Sequence, residues 1–440
     1  MGLLHAIGRE YTYISSLGRS LYRLRHTKPD SPRTISDIVE EFGRNRPDNI
    51  AILCQDHTCT YAELNAAANR YTRWALAQGI RKGDVVALFM ENRPEYLFAW
   101  LGIVKLGGVV ALINTNLRGQ ALAHCIAIAT TRHAIVGAEL ATPYLEASAL
   151  LETKPIAWIT GAHNVDAEDL DAALSEASAA PLDIAVRDGL VCKDNAFYIY
   201  TSGTTGLPKA ANFSHMRMLF MMYGFAGALN AGEHDRMYDT LPMYHSTGGV
   251  CAPGVALTAG GSLVIRRKFS VQEFWEDIHK YKPTYFQYIG ELCRYLLNAP
   301  AGSHERDHTI RTITGNGLRP EIWEAFQTRF AIPKIIEFYG ATEGNVSMLN
   351  YDGKPGAVGR VPNYMRGIIQ TRIVKFDLDA ETPIRGTDGF CIECPDGEAG
   401  EAIGKVRNEP GANFEGYTQE SDTQKKLLTD VFEKGDFWFR

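Results

Sequence analysis

Between about residues 50 and 340, short apolar runs bounded by Gly, Pro, Asp or Asn alternate with stretches whose apolar residues recur every three or four positions. Short unbroken or alternating runs read as strands, and the longer period reads as helix. Thr60-Tyr-Ala-Glu63 is a capping box, which predicts a helix running to about Gln78 with Gly79 as its stop. Residues 85–90 predict a buried strand, and Pro94 suits the first turn of the next helix. Residues 96–113 are apolar except for Lys105. Lys105 and the pair Gly107-Gly108 divide that run into a helix and a buried strand at 109–113, rather than a membrane span. Further strands are predicted at 196–200, 262–265, 284–289, 311–314 and 335–339. Helices are predicted at 215–229 and after a second capping box, Ser270-Val-Gln-Glu273. This alternation predicts an α/β fold with two stacked, mostly parallel sheets covered by helices. Residues 138–190 are Ala-rich and acidic and predict surface helices and loops. After residue 345, Gly, Asp and Pro become frequent, and short strands at 367–376, 389–393 and 401–406 predict a mainly β subdomain.

The chain has 440 residues, 45% hydrophobic and 22% charged, so it can bury its own core and is not collagen-like, disordered or a disulfide scaffold. A net charge of −6 gives no basic footprint for nucleic acid. The eight cysteines are scattered through apolar runs, which predicts buried thiols in a reducing compartment. Cys391 and Cys394 sit three apart in a strand-like run and so point to opposite faces, against a metal or redox pair. No signal-peptide pattern opens the chain. Residues 11–25 read as a basic amphipathic helix, with Tyr11, Ile14, Leu17, Leu21 and Leu24 on one stripe and Arg19, Arg23 and Arg25 beside it. Two uses stay open: lying on an anionic membrane surface, or packing on the body. The expected location is cytoplasmic, with peripheral contact on the inner face of a membrane as the open addition.

The strongest local motif is Tyr200-Thr-Ser-Gly-Thr-Thr-Gly-Leu-Pro-Lys209, read as a loop between a strand and a helix. Gly203 and Gly206 let backbone N–H groups approach an anion. Thr201, Ser202, Thr204 and Thr205 supply hydroxyls, and Lys209 supplies a positive charge. No Walker A register fits. The run resembles the phosphate loop of the acyl-adenylate-forming superfamily, which includes acyl-CoA synthetases, luciferases and peptide-synthetase adenylation domains. Leu112-Ile-Asn-Thr-Asn-Leu-Arg118, Leu241-Pro-Met-Tyr-His-Ser246, Gly315-Asn-Gly-Leu-Arg319 and Phe338-Tyr-Gly-Ala-Thr-Glu-Gly-Asn345 are similar to the fatty acid transport protein, or very-long-chain acyl-CoA synthetase, branch. The resemblance runs from about residue 35 to the end.

That resemblance implies the large N-terminal domain of an adenylate-forming enzyme. Residues 1–35 would be an extension, 36–345 two α/β subdomains holding the ATP and acyl site, and 346–440 a small β-barrel-like subdomain. The implied reaction joins a long- or very-long-chain fatty acid to ATP, giving acyl-adenylate and pyrophosphate; coenzyme A then displaces AMP. Glu343 would hold Mg2+, Thr342 would touch the α-phosphate and Tyr339 would stack on adenine, flanked by Gly340 and Ala341. Gly315, Asn316 and Gly317 would form the other side of the pocket, and His245 would wall the carboxylate from the coenzyme A channel. Gly248, Gly249, Ala252, Gly254 and Ala256 either leave a tunnel for the acyl chain or permit close packing. The family continues with a Thr-Gly-Asp triplet, a hinge and a C-terminal domain with a catalytic Lys, none of which follows Arg440. On that resemblance the chain reads as an impaired fragment that binds nucleotide weakly and barely adenylates, and Asp436 is not the ribose ligand. Ligation of a bile-acid-like, carnitine-like or aryl acid remains open, as does a non-enzymatic role in fatty acid binding or transport.

Overall fold

The computed structural model describes residues 3–55, 57–201, 206–407 and 414–440. Two large sheets organise the chain. One has eight strands, in the order 347–349, 335–340, 312–316, 285–289, 236–239, 262–265, 50–54 and 57–60, parallel except at its two edge pairs. The other has seven, in the order 168–169, 156–160, 133–137, 85–89, 109–112, 195–201 and 209–214, antiparallel only at its last pair. Helices Tyr61–Ala77, Pro94–Lys105, His215–Leu229 and Ala252–Leu257 fill the space between them, and one core joins residues of both sheets through these helices. The outer faces are covered by Phe274–Tyr281, Gly290–Asn298 and Pro320–Phe330 on one side and by Gly119–Ile128 and Ala141–Ser148 on the other. Every internal strand is therefore buried on both faces, which is why these strands read as apolar runs rather than alternating ones.

Local chemistry sets the element boundaries. Thr60 and Glu63 form the capping box, and the helix ends at Ala77. The 96–113 run divides as its glycines dictate, into the helix Pro94–Lys105 and the strand Val109–Leu112. Buried Lys105 is satisfied from within, by Glu40 at 3.0 Å, Asn65 at 3.0 Å and Asn69 at 2.7 Å. A charge so fully paired can be buried. All eight cysteines are free thiols.

Several expectations change. Residues 156–160, placed among surface elements, form a strand inside the seven-stranded sheet, with Trp158 and Ile159 buried. The flanking Ala-rich helices hid a four-residue apolar run, Ile156 to Ile159. Ser270 does accept from the Glu273 amide at 3.3 Å, but the helix starts only at Phe274. Residues 389–393 form no continuous strand, only isolated bridges at Cys391 and Glu393. The β subdomain is an open four-stranded sheet (371–374, 401–405, 437–439, 427–429) with a two-stranded ribbon; no closure into a barrel occurs among the described residues.

Candidate functional site

The Tyr200–Lys209 motif closes a hairpin rather than leading into a helix. Strand Asn195–Thr201 turns back as Lys209–Ser214, with Thr201 opposite Lys209, and the helix begins only at His215. Burial of Ala210, Ala211 and Phe213 against both cores explains the extra strand. Ser202, Gly203, Thr204 and Thr205 lie outside the described residues. Gly206 has a φ of +87°, a left-handed turn that favours glycine. Lys209 Nζ meets the Asp422 carboxylate at 2.8 Å and lies 5.8 Å from the Tyr417 ring centroid. The hydrogen bond from Lys209 holds the Asp422 carboxyl below its ordinary range.

Tyr417 joins this lysine to the second motif. Segment 416–418 runs alongside strand 209–214, through Asn212 N–H to Gly416 O at 2.9 Å and Thr418 N–H to Ala210 O at 2.9 Å. That pairing carries the Tyr417 hydroxyl to Glu343 Oε1, to which it donates at 2.6 Å. Glu343 is only 8% exposed, and among the described residues this phenol is the partner shown for its carboxylate. Burial and the Glu343 carboxylate both push the Tyr417 phenol up, so it stays a donor at neutral pH. A buried carboxylate with one oxygen already oriented suits a hard divalent cation, so the residues present fit Mg2+. The Tyr417 role was not legible in the sequence; Gly416-Tyr417 breaks no periodicity, and the carboxylate it meets lies 74 positions away. The same holds for Asp422.

Strand Ile335–Gly340 delivers the third part. Tyr339 is 45% exposed at its carboxyl end, so it is not a core residue. Gly340, Ala341 and Thr342 follow and line a cavity of about 1010 Å³, counted with its open mouth. Thr342 Oγ1 lies 3.4 Å from Ser246 Oγ. Arg217 fixes this bend, donating to the carbonyls of Gly344 at 2.5 Å and Thr342 at 3.3 Å. Asn316, at the end of strand Thr312–Asn316, lines the same cavity. Gly315 does not: a Cβ there would stand 2.2 Å from the Tyr288 carbonyl oxygen, so its small size serves strand packing. Gly317 makes the following turn with a φ of +79°.

The 241–246 loop is held from below. Buried Asp239 accepts from the Leu241 amide at 3.0 Å, and Asn92 accepts from the Met243 amide at 2.9 Å. Burial pushes the Asp239 carboxyl well above its ordinary range. His245 faces solvent on one side, while desolvation by the surrounding chain holds its imidazole below the ordinary range. It is therefore neutral near pH 7 and does not line the cavity, whereas Ser246 and Thr247 do.

The small residues after His245 do not form a tunnel. A Cβ on Gly248 would lie 2.6 Å from Pro242 O, one on Gly249 1.9 Å from Met243 O, and one on Gly254 2.3 Å from Met222 Cγ. Gly254 allows close packing of Ala252–Leu257 against the 215–229 helix, and Gly248 and Gly249 let their segment pack on the 241–243 backbone. The cavity lies elsewhere, between the 215–229 helix, strand 335–340 and the N-terminal helix Leu3–Leu24. Asp436 is structural: its carboxylate accepts from Val431 N at 2.6 Å, Phe432 N at 3.1 Å and Trp438 Nε1 at 2.7 Å.

The N-terminal helix packs on the body through small and polar residues. Ser20 Oγ donates to Gly224 O at 2.9 Å, Arg19 to Gly227 O at 3.0 Å and Arg23 to Ala231 O at 2.5 Å. Two of its three cations therefore neutralise the carboxyl end of another helix instead of facing outward. Tyr11 and Ile14 on the apolar stripe remain exposed. Among the described residues, no helix is long and apolar enough to cross a membrane.

The AMP-binding enzyme family profile matches residues 39–386. The chain is 40% identical over 411 residues to long-chain fatty acid transport protein 1 of Mus musculus, covering 92% of this chain and 63% of that protein. It is 35% identical over 414 residues to a medium/long-chain-fatty-acid–CoA ligase of Mycobacterium tuberculosis, covering 94% and 66%. The chain thus spans a little under two thirds of the length of these relatives. By structure it is similar to the anthranilate CoA ligase AuaEII in complex with anthranoyl-AMP (TM-score 0.76, 19% identity, 92% of this chain and 77% of that one). It is likewise similar to ATP-bound MatB from Rhodopseudomonas palustris (TM-score 0.73, 23% identity, 92% and 75%). At these identities the structural matches speak for the fold.

Proposed function

The chain belongs to the AMP-binding enzyme family, and from that premise we propose that it carries the adenylate- and acyl-binding part of an AMP-forming fatty acid–CoA ligase. The fatty acid carboxylate attacks the α-phosphorus of ATP, the bond to the β-phosphate bridging oxygen breaks, and acyl-adenylate and pyrophosphate form. The coenzyme A thiol then attacks the acyl carbon, loses its proton and expels AMP. One observation supports the choice of acid: polar Thr342 and Ser246, 3.4 Å apart, share one cavity with Leu17, Leu21, Phe225 and Phe338. A carboxylate head with a long tail matches that polarity.

Lys209 and the loop residues Thr201 to Gly206 are assigned to the phosphates, and Tyr339 to adenine. Glu343, oriented by Tyr417, would hold Mg2+, which neutralises phosphate charge when bound. Neutral His245 stands at the coenzyme A side; no base is needed there for the first step, because fatty acid carboxyl groups are ionised near pH 7. The exposed Tyr11 and Ile14 support peripheral contact with a lipid surface, through the apolar stripe rather than through the arginines.

Fatty-acid-dependent pyrophosphate release by the purified chain tests the reading. Release is expected to be slow, to favour long acids over acetate, and to fall further in Lys209→Ala and Glu343→Gln with the thermal transition retained. Activity peaking at acetate or propionate, or insensitive to both substitutions, would sink it.

A further inference from the structure

The cavity that begins at Thr342 ends on the N-terminal helix. We propose that Leu17, Leu21 and Leu24 of this helix hold the distal part of the acyl chain and set the tail length that binds productively. This rests on the ligase reading above.

The three leucines fall at i, i+4 and i+7, one stripe of a helix, and all three line the cavity. Met221 and Phe225 of the 215–229 helix face them, and Phe338 and Leu349 close the wall from the sheet. Thr342 and Ser246, 3.4 Å apart, line the same cavity as the three leucines. Leu21 is 55% exposed, so it stands at the mouth where a tail longer than the cavity would emerge.

A wall that gauges length must not slide. At Gly227 a Cβ would lie 2.5 Å from Ser20 Cα, so the two helices cross at backbone contact. Arg19, Ser20 and Arg23 then fix the helix along its axis through three carbonyls of the partner segment. Tyr13 packs edge-on against Tyr351 at 5.4 Å, and Arg360 reaches Glu10 at 3.1 Å, which secures the other end. The helix is a fitted part of the cavity rather than a loose extension.

Binding of non-hydrolysable acyl-sulfamoyl adenosines with tails of increasing length tests the proposal by calorimetry on the 440-residue chain. Each methylene that enters the cavity should tighten binding about fourfold, the equivalent of about 0.8 kcal/mol. Leu21→Asp puts a charge at the mouth of the cavity, on an exposed position that tolerates it. Leu17→Trp fills the distal space. Both should weaken the sixteen-carbon analogue at least tenfold and leave the four-carbon analogue unchanged. Unchanged long-chain affinity in both variants, with a steep chain-length series in the unaltered chain, would overturn the helix's role while the ligase reading stood. Failure of the unaltered chain to bind any member of the series would overturn both.

Discussion

His215 offers a clean test of how burial controls this fold. It is the first residue of the 215–229 helix, its side chain is fully buried, and among the described residues neither ring nitrogen has a hydrogen-bond partner. Desolvation is the main force on it; Asp194 and Asp37 pull its proton affinity up and Lys82 pushes it down. The balance lowers the imidazole from its ordinary 6.5 to about 4. The folded state therefore binds this proton less well than the unfolded state does. A depressed imidazole contributes stability that is fully present above 6.5 and is lost as pH falls towards 4. Integrating that difference gives a loss of about 2 kcal/mol by pH 5 and about 3 kcal/mol by pH 4. His215→Phe keeps the ring, strands no hydrogen-bond partner and removes the titration. Urea unfolding of both proteins at pH 7, 6, 5 and 4, followed by tryptophan fluorescence, reads the difference directly, because other titrating groups cancel between them. The unaltered chain should lose stability relative to the variant by those amounts as the pH drops. A difference that stays flat from pH 7 to 4, or that grows as pH rises, would refute the assignment of His215 as a buried neutral imidazole.

Two further outcomes follow from the site. Tyr417→Phe removes a hydrogen bond to a buried carboxylate, worth about 1.5–3 kcal/mol, and should raise the Mg2+ concentration needed for half-maximal pyrophosphate release. Wild-type Mg2+ dependence in that variant would make Tyr417 a packing residue only. Gly227→Val forces a side chain into the Ser20 backbone and should loosen the N-terminal helix at a cost of about 1–3 kcal/mol; limited proteolysis should then cut faster near residues 25–31, and an unchanged digestion pattern would contradict the tight crossing.

Much of the architecture was legible from local pattern. Helix 215–229 and strand 262–265 fall where periodicity put them, and the glycines at 107 and 108 divided the long apolar run correctly. Strand 156–160 escaped because four apolar residues beside Ala-rich helices carry too little period to separate strand from helix. The hairpin at 195–214 escaped for the same reason: residues 209–214 are short, and only their burial between two cores makes them a strand.

The sequence by itself determined which residues are candidates for the chemistry, because a loop of hydroxyls, glycines and a lysine, or a Thr-Glu pair after an apolar strand, is a local property of the chain. The tertiary structure decided what those residues meet. Glu343 finds its partner 74 positions away in Tyr417, Lys209 finds Asp422, and the cavity beside Thr342 closes on the N-terminal helix. Small residues that suggested a tunnel turned out to be filled by neighbouring backbone. Periodicity states which face of an element is apolar; it cannot state which distant segment will cover that face, and here that covering segment bounds the site.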